Sequence, residues 1–204
     1  MLRLLTTVAT AILPLAAAVP LASNGAQPPA PRDDNPGCFD TSFNALAWGL
    51  EDFVYNASYL FTTPSHQNSW GYANFELSNS ALTYKASCHA ASSQLSDFFY
   101  GTLNYDCVMP DPEGQGTTTT FAFDYPGHKL SVNQTWSCSD ADPAWPTTFR
   151  AAGSIDLDLE CTDTGNVVNP DWEYGTGAFY STRYVSCAPV SLKGLKPQEL
   201  TAIA

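Results

Sequence analysis

The stretch TTTTFAFDYPGHKLSVNQTWSC, residues 117–138, decides the fold class. Thr117 to Tyr125 is β-branched and aromatic, and Pro126-Gly127 is a tight-turn pair. In Leu130 to Cys138 the side chains of Leu130, Val132, Gln134 and Trp136 fall on one face. Period-two patterning on both sides of a turn reads as an antiparallel hairpin. Toward the N-terminus, Ala45 to Phe61 is aromatic and β-prone, Trp70 to Leu77 alternates, and Leu82 to His89 reads as a further strand. The Thr62 to Asn68 run between the first two reads as a loop, as does Pro110 to Gly116. Toward the C-terminus, the loop Ser139 to Pro146 precedes a strand from Phe149 to Glu160, and a last pair is expected at Gly177 to Cys187 and Pro189 to Leu195. About eight short strands with no 3.6-residue periodicity predict an all-β domain over residues 45–195, a single antiparallel β-barrel or β-sandwich, with residues 196–204 as a C-terminal tail.

What precedes the strands sets the expectation for the compartment. Residues 1–18, MLRLLTTVATAILPLAAA, combine a positive charge at Arg3, an apolar run and an Ala16-x-Ala18 ending, the pattern of a secretory signal peptide. The run is too short, and too interrupted by Pro14, to span a bilayer. Residues 19–44 are rich in Pro, Ala and Asn and are expected to form a flexible lead-in. The chain is therefore expected to be secreted and extracellular, where six cysteines read as a disulfide framework. Eight basic against 20 acidic residues, a net charge of −12, argue against nucleic acid and anionic membrane surfaces as partners. Two sequons, Asn56-Ala57-Ser58 and Asn133-Gln134-Thr135, are expected glycosylation sites.

Cys88 and Cys107, separated by a short connection, are expected to pair; a bridge closing a loop of that size stabilises by about 3 kcal/mol. The surrounding residues, Ser87-Cys88-His89-Ala90 through Leu95 and Asp97 to Tyr105-Asp106-Cys107, followed by Leu130-Ser131-Val132-Asn133-Gln134, resemble the Alternaria major allergen family of small fungal secreted proteins over roughly residues 45–190. The resemblance implies a disulfide-stabilised antiparallel β-barrel without an established enzyme activity, often discussed as an allergen or as a factor acting on plant hosts. It also implies a homodimer through an early cysteine, for which Cys38 is the residue in a comparable place. Six cysteines allow 15 connectivities, so Cys38 need not be free. Cys38 with Cys187 and Cys138 with Cys161 are the expected remaining pairs.

Ile155-Asp156-Leu157-Asp158-Leu159-Glu160 places three carboxylates on one face of a strand. Such a set can serve glycoside hydrolysis or hold Ca²⁺, but the simpler reading is the solvent face of an amphipathic strand. His66, His89 and His128 lack ligand spacing, and no G-x-S-x-G elbow occurs, so neither metal, cofactor nor catalytic residues are expected. Most of the many aromatic residues are expected in the core. Trp145, between Pro143 and Pro146, and Trp172, after Asn169-Pro170-Asp171, are the candidates for ligand binding because loops carry recognition residues. The expected function is a non-enzymatic, effector- or allergen-like protein that binds a host protein or small ligand. The alternative is an extracellular glycan-binding protein or glycoside hydrolase acting on cell-wall polysaccharide.

Overall fold

A computed structural model describes residues 36–204, so the expected signal peptide and most of the lead-in lie outside the described residues. One short helix, α1 (Cys38–Asn44), precedes twelve strands: β1 (Trp48–Thr63), β2 (His66–Asn79), β3 (Lys85–Ser92), β4 (Tyr105–Val108), β5 (Thr118–Asp124), β6 (Lys129–Cys138), β7 (Thr147–Asp156), β8 (Cys161–Asp163), β9 (Val167–Val168), β10 (Ser181–Cys187), β11 (Val190–Leu195) and β12 (Glu199–Ile203). They form a single antiparallel sheet in the order β12-β7-β6-β5-β4-β3-β2-β1-β10-β8, with β11 beside β1 and β9 beside β10. The sheet curls into a half-barrel around an aromatic core.

The hairpin that decided the fold class is present as β5 and β6, in register from Thr118↔Thr135 to Asp124↔Lys129. Leu130, Val132, Gln134 and Trp136 all face inward and are buried. Gln134 is a polar residue on an apolar face because three neighbours need it. Its side-chain oxygen accepts Trp48 Nε1 at 3.0 Å and Asn79 Nδ2 at 2.8 Å, and its amide donates to Thr119 Oγ1 at 3.1 Å. An amide whose oxygen accepts twice and whose nitrogen donates within a low-dielectric core ties together the strands it joins.

β1, 16 residues long, pairs with β2, β10 and β11 and changes parity along its length. Trp48 and Leu50 are buried at even positions, whereas Phe53, Tyr55, Ala57 and Tyr59 are buried at odd ones. The switch occurs at Asp52, whose φ of 51° lies in the left-handed region and whose N–H donates to Ser191 Oγ at 2.9 Å; the β1–β2 register shifts between Glu51 and Val54. An extra residue at a bulge is what lets one strand keep its apolar side inward across a bend.

Four expectations about local structure are corrected. Thr62 to Asn68 is not a loop: β1 runs to Thr63 and β2 resumes at His66, leaving Pro64-Ser65 as the turn. The polar composition there reflects a strand end that projects into solvent, tied by Thr62 Oγ1 to His66 Nδ1 at 2.7 Å. The end of the lead-in is not flexible but helical. α1 is held by the Cys38–Cys138 disulfide, by Trp136 Nε1 donating to Ser42 Oγ at 3.0 Å, and by Phe39 and Phe43 against Phe149. Residues 199–203 are not a tail. They form β12, paired with β7 from Glu199↔Ala152 to Ile203↔Thr148, and because every residue of β12 is exposed, backbone pairing rather than a burial pattern holds it. The strand expected through Glu160 ends at Asp156.

All six cysteines are paired within the chain. Cys88 and Cys107 are cross-strand neighbours on β3 and β4 and are bridged, as expected. The other two expected pairs are corrected to Cys38–Cys138 and Cys161–Cys187. Cys161 and Cys187 face one another across β8 and β10, while Cys138 at the end of β6 lies beside α1, so neither is within reach of its expected partner without breaking the pairing. With Cys38 bonded to Cys138, a covalent dimer through Cys38 requires that bridge to open.

Candidate functional site

The end of the half-barrel formed by the tip of β1, the start of β2 and β10 carries a hollow lined in part by aromatic side chains. It is about 340 Å³ in volume and is lined by Tyr59, Phe61, Gln67, Asn166, Tyr180 and Arg183, with Pro64, Ser96 and Ser181 at its margin. Tyr59 and Arg183 are register partners on β1 and β10, and the guanidinium lies 4.8 Å from the Tyr59 ring centroid, a cation–π distance. Behind Tyr59 the Phe98 ring packs at 4.9 Å. Gly71 of β2 makes room for it, since a Cβ there would come within 2.8 Å of the Phe98 ring.

Arg183 is not a free cation. Its Nε donates to both Asp163 carboxylate oxygens at 2.9 and 3.0 Å, and Asp163 also accepts the Gly165 N–H at 2.9 Å. The Arg183 guanidinium, followed by the Gly165 backbone bond, holds the Asp163 carboxyl down at about 2. Burial pushes the phenols of Tyr55, Tyr59 and Tyr125 up, so they stay protonated and act as hydroxyl groups. The site thus offers aromatic faces, amides and hydroxyls around an internally neutralised ion pair.

The segment 164–180 extends this surface. Tyr180 N–H donates to Phe61 O at 2.7 Å and Asn169 N–H to Tyr180 O at 2.8 Å, closing the loop onto β1. Inside it Trp172 Nε1 donates to Ala178 O at 3.2 Å, and the indole meets the rings of Tyr174 and Tyr180 edge-on at 6.5 and 5.5 Å. Gly175 and Gly177, at φ 85° and 79°, supply the left-handed positions the tight return needs. The outcome is a shaped loop that leaves Tyr174 85% and Phe179 43% exposed, with a second hollow of about 270 Å³ between Thr62, Thr63, Trp172 and Tyr174. Both hollows draw on the tip of β1, and Tyr180, which lines the first, meets Trp172, which lines the second, at 5.5 Å between ring centroids.

The residues singled out from the sequence fare differently. Trp172 is half-buried and organises the loop, while Tyr174 and Phe179 carry its exposed area. Trp145 is 75% exposed, but it lies on the β6–β7 connection and lines neither hollow. Asp156, Asp158 and Glu160 point outward while Ile155, Leu157 and Leu159 are buried; Asp156 lies 3.5 Å from Lys129. His66, His89 and His128 are dispersed over the start of β2, β3 and the β5–β6 turn. Asn56 and Asn133 are exposed mid-strand positions on β1 and β6. Sequence reasoning left Tyr59, Phe61 and Tyr180 within the aromatic set expected mostly in the core, and did not single out Asp163 or Arg183. A cation inside an aromatic strand of a strongly acidic chain, Ser181-Thr182-Arg183-Tyr184, was the available signal.

A family model described as Alternaria alternata allergen 1 matches residues 50–187. No curated protein and no solved structure matches the chain.

Proposed function

The chain belongs to the Alternaria alternata allergen 1 family, and from that premise we propose that it is a secreted, non-enzymatic, effector- or allergen-like protein that binds a host protein or a small ligand. One observation carries the reading. The tip of β1 joins a hollow of about 340 Å³ to a loop whose Tyr174 is 85% exposed, so large aromatic side chains are presented to solvent beside a concave site. Rigid aromatic anchors beside a concave site are the chemistry of recognition surfaces. Export through the signal peptide at residues 1–18, three disulfides and sequon glycans at Asn56 and Asn133 belong to the same proposal. No helix of the described residues is long and apolar enough to cross a membrane.

Glycan binding is kept as a second reading because Gln67, Asn166 and the phenol of Tyr180 surround the hollow with neutral hydrogen-bonding groups beside ring faces. Hydrolysis has less support, since the aligned carboxylates stand on an open strand end away from that hollow. The test is affinity capture by the purified protein from a plant extracellular extract, with a disulfide-reduced sample as control and soluble wall oligosaccharides as competitors. Retention of a protein by the folded form alone, undiminished by oligosaccharide, is expected. Capture of polysaccharide alone, or release of reducing sugar that Asp158→Ala abolishes, would overturn the primary reading.

A further inference from the structure

Asn133 is exposed on β6, where the outward faces of β6, β7 and β12 form a groove. Register places Asn133 opposite Ala152 and Ala152 opposite Glu199, so one row runs from the sequon to the last strand of the sheet. Ala152, the smallest side chain of that row, is half-buried between the exposed Asn133 and Glu199. Ser131 and Ser154 stand on one side and Arg150 on the other, and the hollows they bound, about 340 and 260 Å³, both have Asn133, Ala152 and Glu199 in their walls. β12 pairs only with β7 among the described residues, leaving an open strand edge with Leu200 39% and Ile203 57% exposed. Open edges of this kind recruit other strands unless something covers them.

We propose that Asn133 carries an N-linked glycan whose first sugars lie along this groove and cover the β12 edge. From β6 to β12 is two strand spacings, about 10 Å, a distance that two pyranose rings in line can span. The lining suits sugar: the hydroxyls of Ser131 and Ser154, the Arg150 guanidinium, the Glu199 carboxylate and the small Ala152 side chain between them. Asn56 is a poorer seat. It is flanked by Tyr72 and Ser186, and its side-chain oxygen already accepts Ser186 Oγ at 2.8 Å. Attachment forms a bond from Asn133 Nδ2 to the anomeric carbon of a lipid-pyrophosphate-linked oligosaccharide. The anomeric C–O bond to the pyrophosphate breaks, and one Nδ2 proton leaves. The lipid-linked donor is the co-reactant that the eukaryotic secretory route supplies. The proposal rests on secretion, as proposed above.

The test uses the full chain made in a secretory yeast twice, once with its own N-terminus and once behind an added yeast leader. Export failing only with the native N-terminus would count against the secretion reading and leave Asn133 testable on the second product. Peptide mass mapping with and without N-glycosidase is expected to find Asn133 modified, and Asn133→Gln to remove that glycan. Amide exchange of residues 199–203 is expected to be at least threefold slower in the glycosylated chain than in Asn133→Gln or in enzymatically deglycosylated wild type, a control that holds if the variant folds poorly. A secreted chain unmodified at Asn133 would overturn the proposal. So would a glycan that leaves β12 exchange unchanged, or glycosylated copies that pair through β12.

Discussion

Trp136 and Tyr174 belong to the same chemical class and have opposite fates. Trp136, in the middle of β6, is fully buried, stacks on Phe149 at 5.6 Å and gives its indole N–H to Ser42 of α1. Tyr174, on the loop between β9 and β10, is 85% exposed. At the α1 end of the half-barrel, aromatic residues are fixed by strand alternation, a helix plug and a disulfide. At the opposite end, similar residues are fixed by local hydrogen bonds and edge-on ring contacts that orient them toward solvent. The first region makes the fold and the second is free to make contacts, so substitutions in the two should separate stability from binding.

The largest effect expected at the plug end is on the Cys38–Cys138 bridge, which closes a loop of 100 residues. The double variant Cys38→Ser, Cys138→Ser should lose about 4.7 kcal/mol by loop entropy, read as a lower denaturant midpoint. A loss under about 1 kcal/mol would mean that α1 docks without it and the comparison is wrong. Next, Trp136→Ala should cost about 4 kcal/mol, whereas Tyr174→Ala should stay within about 0.5 kcal/mol, the range of surface substitutions; equal losses in thermal melts would erase the distinction. The smallest effect concerns pH. Asp163 titrates at about 2 in the folded chain against an ordinary 3.8, so its ion pair with Arg183 contributes fully above that ordinary value and is lost as pH falls through about 2. Amide protection across residues 161–186, taken relative to the intrinsic exchange rate at each pH, should therefore fall between pH 4 and 2, and Asp163→Asn should flatten that dependence. An unchanged profile in Asp163→Asn would show that the pair does not hold the loop base.

The paired strands were legible because alternation is a local property. Residues 117–138 announce their own hairpin, and Ile155 near the end of β7, with Leu157 and Leu159 beyond it, turns inward as the spacing requires. β12 was illegible because its five residues bury nothing, and backbone bonding leaves no trace in side-chain pattern. α1 was hidden by the proline-rich run ahead of it; seven residues are too few to show helical periodicity, and long-range partners decide their conformation. The disulfide pairs Cys38–Cys138 and Cys161–Cys187 depend on sheet order, which composition and spacing do not carry. For the site, Trp172 was legible from its turn-rich surroundings, but the hollow beside it was not. Tyr59 and Arg183 meet only because β1 and β10 are neighbours across more than a hundred residues of chain.

The central claim is that the loop of residues 164–180 binds and does not hold the fold. The most direct measurement compares wild type with the double variant Trp172→Ala, Tyr174→Ala in two readings, the melting temperature and the retention of partners from a plant extracellular extract. The account predicts a melting temperature within a few degrees of wild type and at least a tenfold loss of retention. Undiminished retention by a folded variant would contradict it.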